Sequence, residues 1–184
     1  MSRYLPRVRQ IVLLRGINLG PTNRVAMPAL REVLGERGFQ DVRTYVQSGN
    51  VVLSSDLSPK RLADDCRQAL ADGFSLDIEV LVRTRDELAE VVARNPLAEL
   101  AVNPKRYQVT FLGAKLDRHV VEELASAATA TERLVAIGRE LYVWHPDGVA
   151  RSKLWARLGS RGLGVPATSR NWSTVTTLLE MADA

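Results

Sequence analysis

The chain has 184 residues, 46% of them hydrophobic and 25% charged, with a formal net charge of +4. This composition excludes a disordered chain and predicts a globular protein with an ordinary apolar core. No apolar run approaches the ~20 residues that cross a bilayer, and the basic N-terminal leader lacks the apolar centre of a signal peptide. We therefore expect a cytoplasmic protein with no membrane partner. Cys66 is the only cysteine, which excludes an internal disulfide and a cysteine-based zinc cluster.

Strands and helices alternate regularly in the first half of the sequence. Each strand is a short apolar run, and each helix begins with proline in its first turn, where the missing N–H costs nothing. In chain order the predicted elements are a strand at Ile11–Leu14, a helix from Met27 to Gly38, strands at Asp41–Val46 and Asn50–Ser54 joined by a tight hairpin at Gln47-Ser48-Gly49, a helix from Ser58 to Gly73, and a strand at Ile78–Val82. This order is the split βαβ, or ferredoxin-like, pattern.

The second half repeats much of this order after a linking helix. Its predicted elements are the helix Arg85–Arg94, the strand Tyr107–Leu112, the helix His119–Ala128, a hairpin with arms Arg133–Ile137 and Glu140–His145, the helix Ser152–Leu158 and a final helix from near Asn171. No closing strand is recognisable. We predict an α+β fold of two related ferredoxin-like units, the second degenerate, with a C-terminal helix. The predicted domains are residues 1–84 and 85–184.

The sequence contains three ordered blocks, Leu13–Gly20, Thr44–Val52 and Thr168–Val175, and a further block at Gly148–Leu154. These blocks resemble a bacterial family described as domain of unknown function 1697. The resemblance covers nearly the whole chain and implies tandem similar α/β units, but no activity, substrate or catalytic residue. The loop at Gly20-Pro21-Thr22 departs from the family pattern, which has more glycine and lysine there, and this weakens a phosphate-cradle interpretation of that loop.

Polar residues in three of these blocks are the candidate ligand-binding residues. Glycines that expose backbone amides, beside guanidinium groups, are what an anion site requires. In the structural alternative, glycine and asparagine are present because the turns require their backbone conformations, and Asn171 or Ser169 caps the last helix. Our main hypothesis is a protein that binds a phosphorylated or nucleotide-like small anion. Its candidate residues are Arg15, Asn18, Gln47, Asn50, Arg170 and Asn171.

Two alternatives from other classes stay open. A single-stranded nucleic-acid binder would stack bases on aromatic residues that alternate on two strands of the second unit and would use the acid-free basic segment 151–179 for the backbone. In the other alternative, a structural or interaction protein without a ligand, the blocks hold the units together. The aromatic residues are Tyr107, Phe111, Tyr142 and Trp144, and the basic ones are Arg151, Lys153, Arg157, Arg161 and Arg170.

Signals for enzymatic chemistry are few. His119 and His145 are the only histidines, and neither lies in a metal-ligand array, so we predict no metal and no cofactor. His145 with Asp147 is either an acid–base pair or part of a turn after a strand. Cys66 lies on the apolar face of its predicted helix, which favours a structural thiol. The pattern specifies neither a reaction nor an oligomeric state.

Overall fold

A computed structural model describes residues 7–184 of the chain, apart from the side chain of Arg161, so the basic leader lies outside the described residues. Within that range, no helix combines the length and the apolar character needed to cross a membrane. A short 3-10 helix at Arg161–Leu163 precedes the last strand. In chain order the other elements are β1 (Val8–Leu14), α1 (Met27–Glu36), β2 (Gln40–Tyr45), β3 (Asn50–Ser55), α2 (Pro59–Phe74), β4 (Val80–Thr84), α3 (Arg85–Arg94), β5 (Tyr107–Leu112), α4 (Arg118–Ser126), β6 (Arg133–Ile137), β7 (Glu140–Trp144), α5 (Lys153–Gly159), β8 (Ala167–Asn171) and α6 (Trp172–Asp183).

Unit 1 comprises the described residues up to Ala89 together with Leu178–Ala184. Its sheet has the strand order β2-β3-β1-β4, and neighbouring strands are antiparallel. The helices α1 and α2 pack on this sheet, and the apolar core lies between them. Buried residues that contribute to this core are Val12, Leu30, Val51, Leu53, Leu62 and Leu70.

Unit 2, Glu90–Thr177, repeats this arrangement. Its sheet has the order β6-β7-β5-β8, which matches that of unit 1 strand for strand, and α4 and α5 take the places of α1 and α2. The prediction of an α+β fold with two related split βαβ units and a C-terminal helix is confirmed. The buried core of unit 2 includes Leu112, Leu124, Leu141, Val143, Leu154 and Leu158.

The closing strand of unit 2, which could not be recognised in the sequence, is present as β8. It pairs antiparallel with β5, with Arg170 opposite Val109 and Ala167 opposite Leu112. Its sequence, Ala-Thr-Ser-Arg-Asn, contains one β-branched residue and no apolar run. Pairing with a buried neighbour, and not intrinsic preference, makes it a strand.

The sequence analysis predicted that α2 ends at Gly73, and this was wrong. The helix continues to Phe74, and Ser75 adopts the left-handed conformation that closes it, with φ of 56°. A Cβ at Gly73 would lie 2.9 Å from Cγ2 of Val33, so this glycine allows α1 to approach α2 closely. The start of α2 was predicted correctly, because the Ser58 hydroxyl accepts a hydrogen bond from the Arg61 amide and Pro59 occupies the first turn.

The boundaries of the compact units fall inside α3 and α6. The end of α6 is attached to unit 1, since Arg43 donates to the Met181 carbonyl and Arg85 pairs with Asp183 at 2.6 Å. The division into residues 1–84 and 85–184 concerns independent folding and stays a prediction. A fragment that ends at residue 84 would lack both contacts.

Candidate functional site

Asn18 is the centre of the first predicted block, and its side chain is fully engaged with backbone groups. It has a positive φ of 54°, which asparagine tolerates better than most residues. Its amide nitrogen donates to the carbonyls of Val25 and Gln47, both at 2.8 Å, and its Oδ1 accepts from the Val25 amide at 2.9 Å. Asn18 therefore ties the loop after β1 to the loop between β2 and β3.

Arg15 lies at the end of β1 and points toward β4. Its guanidinium pairs with Glu79 at 2.7 Å, and its amide donates to the Glu79 carbonyl at 3.0 Å. The two side chains are 25% and 41% exposed. Such a partly exposed ion pair contributes on the order of 0–1 kcal/mol, and a solute anion can compete for the guanidinium.

The second block closes the β2–β3 hairpin around a wholly buried asparagine. The pair Tyr45–Asn50 encloses four residues, which is a longer turn than the predicted tight hairpin. The Asn50 amide donates to the Tyr45 carbonyl and to the Ser48 hydroxyl, at 3.2 and 3.0 Å. A Cβ on Gly49 would lie 2.7 Å from Cβ of Leu14, so the turn is pressed against β1. The structure thus brings Asn18, Gln47 and Asn50 together, and it leaves the side chain of Gln47 exposed.

Arg170 and Asn171 belong to unit 2, whereas the other four candidate residues belong to unit 1. The Arg170 guanidinium is buried and donates to the Thr168 hydroxyl and the Ser169 carbonyl, both at 2.8 Å. Burial lowers the pKa of Arg170 to about 10. The Asn171 side chain accepts from the Thr174 amide at 2.9 Å and so caps the start of α6.

The aromatic residues proposed for base stacking are buried. Tyr107, Phe111, Tyr142 and Trp144 are between 0% and 8% exposed. Tyr107 stacks on Trp172 with ring centroids 4.9 Å apart, and the Tyr142 hydroxyl donates to the carbonyl of Val91. These strands therefore offer no exposed platform, which removes the aromatic stacking on which the nucleic-acid alternative depended.

The contact between His145 and Glu132 was not predicted from the sequence. The distance from His145 Nδ1 to a Glu132 carboxylate oxygen is 2.7 Å, and the side chains are 0% and 5% exposed. Asp147, which one of the two alternatives paired with His145, instead accepts a hydrogen bond from Thr131. The spacing Thr129-x-x-Glu132 is that of a capping box, and it was the one available signal for the position of this carboxylate.

Glu132 accepts hydrogen bonds from three parts of unit 2. Burial alone would raise its pKa, but hydrogen bonds from the Ser152 hydroxyl, the Thr129 amide and His145 outweigh burial and hold the pKa of Glu132 below its usual value. An ionised carboxylate only accepts, so Nδ1 of His145 carries the proton and donates. Nε2 of His145 is buried without a partner among the described residues. The network ties the ends of β7 and α5 to the loop before β6.

A cleft of about 480 Å³ lies in unit 2 at the N-terminal end of α4. Its volume falls within the roughly 300–1,000 Å³ that is usual for ligand pockets. The apolar lining comes from β5, β6, β7 and α4, and the polar lining comes from the loop before α4 and from its first residue. The lining residues are Leu112, Lys115, Leu116, Asp117, Arg118, Val121, Ala136, Gly138 and Leu141.

The start of α4 is positively charged. It lacks the capping hydrogen bond and the acidic first-turn residue that usually stabilise the N-terminal end of a helix. The Asp117 side chain makes no capping hydrogen bond, and the first turn contains no acidic residue. Lys115 and Arg118 are exposed, and Arg118 pairs with Glu122, at 2.7 Å along the same helix. Cations at the positive end of a helix dipole are unfavourable unless an anion joins them. This pattern was visible in the sequence as basic residues at a helix start, but the cleft beside it was not.

Comparisons with known proteins agree with this architecture. A solved structure described as conserved bacterial protein SP0830 from Streptococcus pneumoniae superposes with a TM-score of 0.78, covering 96% of this chain and 99% of that chain at 22% identity. At this identity the likeness shows the fold alone. No curated protein matches the chain. The sequence profile of the family described as Protein of unknown function (DUF1697) matches residues 8–142, and the chain belongs to that family.

Proposed function

We propose that the protein binds a small anionic ligand through the cleft at the N-terminal end of α4. The main observation in support is that one cleft combines an apolar floor with two exposed cations. Leu112, Leu116 and Leu141 supply the floor, and Lys115 and Arg118 supply the charge. A ligand that fits has an apolar body of a few carbon atoms and one carboxylate or phosphate group.

The same cleft favours binding over catalysis. Its titratable lining side chains are Lys115, Asp117 and Arg118, and its lining includes no histidine, cysteine or serine that could act as a nucleophile or an acid–base group near neutral pH. Asp117 opposes an anion, and Glu122 competes with it for Arg118, but that ion pair is exposed and contributes little. Lys115 and the partial positive charge of the helix end supply further attraction. A cytoplasmic setting is part of this proposal, and the single buried thiol Cys66 supports it.

A second candidate is the loop cluster of unit 1. It contains Arg15, Asn18, Gln47 and Asn50, four of the six residues that the sequence analysis proposed as ligand-binding. The polar side chains of Asn18 and Asn50 are occupied by backbone groups, so Arg15 and Gln47 are the ligand contacts that this candidate leaves. The specific observation in its favour is the partly exposed Arg15–Glu79 pair, which an anion can open.

Ligand-induced stabilisation tests both candidates, with differential scanning calorimetry to follow the unfolding of both units. All three tryptophans, Trp144, Trp155 and Trp172, lie in unit 2, so tryptophan fluorescence during heating follows the unit that holds the cleft. The ligands are C4 to C8 straight-chain carboxylates, phenyl phosphate and nucleoside monophosphates. A ligand present at about 100 times its Kd stabilises the folded state by about 2.7 kcal/mol.

The variants Lys115→Ala, Arg118→Ala and Arg15→Ala separate the two sites. We expect the first two to abolish the shift and Arg15→Ala to leave it intact. Ala136→Leu, which fills the cleft without a charge change, should abolish it as well. If the ligand-induced thermal shift is lost only in the Arg15→Ala variant, the ligand binds in unit 1. No shift with any ligand would overturn the proposal.

A further inference from the structure

The strand β6 is an exposed sheet edge of a kind that proteins usually protect. It stands at the end of the strand order of its sheet, and its pairing with β7 is regular from Arg133 to Ile137, without a bulge. Its last four residues, Leu-Val-Ala-Ile, are apolar, and none of its five residues is proline or lysine. Regular, apolar edges are templates for the pairing of another chain, and β6 is regular over its five residues and apolar over the last four.

The corresponding edge of unit 1 shows the protection that β6 lacks. The strand β2 has the same place in its sheet, but its register shifts between Gln40 and Arg43, and Asp41 has a positive φ of 51°. Arg43 donates to the carbonyl of Met181. The two units share one architecture, but the corresponding edge strand is irregular in unit 1 and regular in unit 2.

The hairpin turn determines which groups of β6 point outward. A two-residue turn at residues 138 and 139 makes Ile137 and Glu140 the closing hydrogen-bonded pair. Alternation along the strand then directs the N–H and C=O groups of Leu134 and Ala136 away from β7. In residues 7–184 no strand pairs with that side of β6. These two residues offer two donors and two acceptors for an added strand.

The open side of β6 adjoins the cleft. Ala136 is exposed and lies opposite Leu141, and both line the cleft. A strand added beside β6 would therefore direct alternate side chains toward the cleft wall at Leu116 and Val121. The small side chain of Ala136 leaves the space that such a residue needs.

The charged end of the cleft gives the added strand a direction. Gly138, which directly follows β6, lines the cleft together with Lys115 and Arg118. A strand that runs parallel to β6 would bring its C-terminal end to these cations and to the amides at the start of α4. A free carboxylate is the group that such a site captures.

We infer that unit 2 binds the extended C-terminal segment of another polypeptide, which adds as a parallel strand to β6. The terminal carboxylate lies at Lys115 and Arg118, and an apolar side chain near the terminus enters the cleft. This inference rests on the proposed function, because it names a peptide carboxylate as the anion. It further requires backbone pairing, which a small ligand does not use.

The experiment begins with a random heptapeptide library displayed with free C-termini. Selected peptides should carry an apolar residue near the C-terminus. The best one is then made in three forms: with a free carboxylate, with a C-terminal amide, and with N-methyl groups on the amides that would pair with β6. We expect amidation and N-methylation each to weaken binding by about tenfold or more.

Hydrogen exchange followed by NMR supplies the readout specific to strand addition. Binding of the free-carboxylate peptide should slow exchange at the Leu134 and Ala136 amides by about tenfold or more, while Val135 and Ile137 are already protected by β7. Lys115→Ala should weaken the free-carboxylate peptide but leave the affinity of the amide form unchanged. Lys153→Ala, an exposed charge on α5, is the matched control and should change neither.

Each outcome supports or overturns the inference. If short carboxylates bind the cleft but N-methylation has no effect, strand addition is wrong and the proposed function stands. If neither carboxylates nor peptides bind, both fail. If no peptide is enriched, the inference is overturned. It is also overturned if the Leu134 and Ala136 amides become protected without peptide as the protein concentration rises, because β6 then pairs with a second copy of the chain.

Discussion

Replacing Glu132 by alanine removes the carboxylate that three groups of unit 2 share. His145 Nδ1 lies 2.7 Å from one carboxylate oxygen, and the Thr129 amide lies 2.9 Å from the other. The Ser152 hydroxyl is the third donor. His145 finds no replacement in the alanine variant, because its ring is 0% exposed and water cannot reach it without a local opening.

The expected cost follows from the burial of these groups. A buried donor that loses its acceptor costs about 1–3 kcal/mol, so with three donors affected we expect about 3–5 kcal/mol for Glu132→Ala. Glu132→Gln keeps the volume and one acceptor oxygen, so we expect about 1–3 kcal/mol for it. The free energy of unfolding of unit 2 should fall by these amounts at pH 7.

Urea denaturation followed by tryptophan fluorescence measures this fall, because the three tryptophans report on unit 2. The pH dependence gives a second measurement. The folded-state pKa of Glu132 is below the ordinary value of about 4.3, so its contribution is complete above that value and is lost as the pH falls through the folded-state pKa. The difference between wild type and Glu132→Gln should shrink below about pH 4.

Glu123→Ala is the matched control in the same unit. Glu123 makes ion pairs with Arg157 at 3.4 Å and His119 at 3.2 Å, but its side chain is 48% exposed. Its removal should cost less than about 1 kcal/mol. The reasoning is refuted if Glu132→Ala costs no more than this control, or if the difference for Glu132→Gln is the same at pH 3 as at pH 7.

Three further predictions concern unit 1. Cys66 is 0% exposed and burial raises its pKa to about 12, so the native protein should react with a thiol reagent at pH 8 at least about a thousandfold more slowly than the unfolded chain. Asn18→Ala, which removes three side-chain hydrogen bonds, should cost about 1–3 kcal/mol and accelerate that reaction. Gly73→Ala should destabilise unit 1 through contact with Val33, whereas in a Val33→Ala background it should stabilise by up to about 1 kcal/mol in urea denaturation.

Local signals predicted most of the fold, because most of the elements carry them. Ser58 and Pro59 placed the start of α2 correctly, since capping and a proline first turn are properties of a few adjacent residues. The strand β8 has no such property, and its conformation depends on β5, more than 50 residues away. The end of α2 was misplaced because Gly73 serves contact with α1, which is also a long-range requirement.

Sites built from distant residues were the least predictable. The nearest acidic neighbour of His145 in the sequence is Asp147, yet the buried partner is Glu132. The capping-box spacing before β6 fixed the position of Glu132 but not its partner. The cleft beside α4 is lined from three strands, a loop and a helix, so no single stretch of sequence could show it.

The polar residues of the family blocks are used mainly to build the scaffold. Asn18 joins two loops, Asn50 closes a hairpin, and Asn171 caps α6. The exposed cations of the cleft, Lys115 and Arg118, lie outside those blocks. Substitution of an exposed side chain changes stability little, so these two positions can vary without disturbing the fold. If the cleft is the binding site, relatives with the same blocks can therefore share this architecture and bind different ligands.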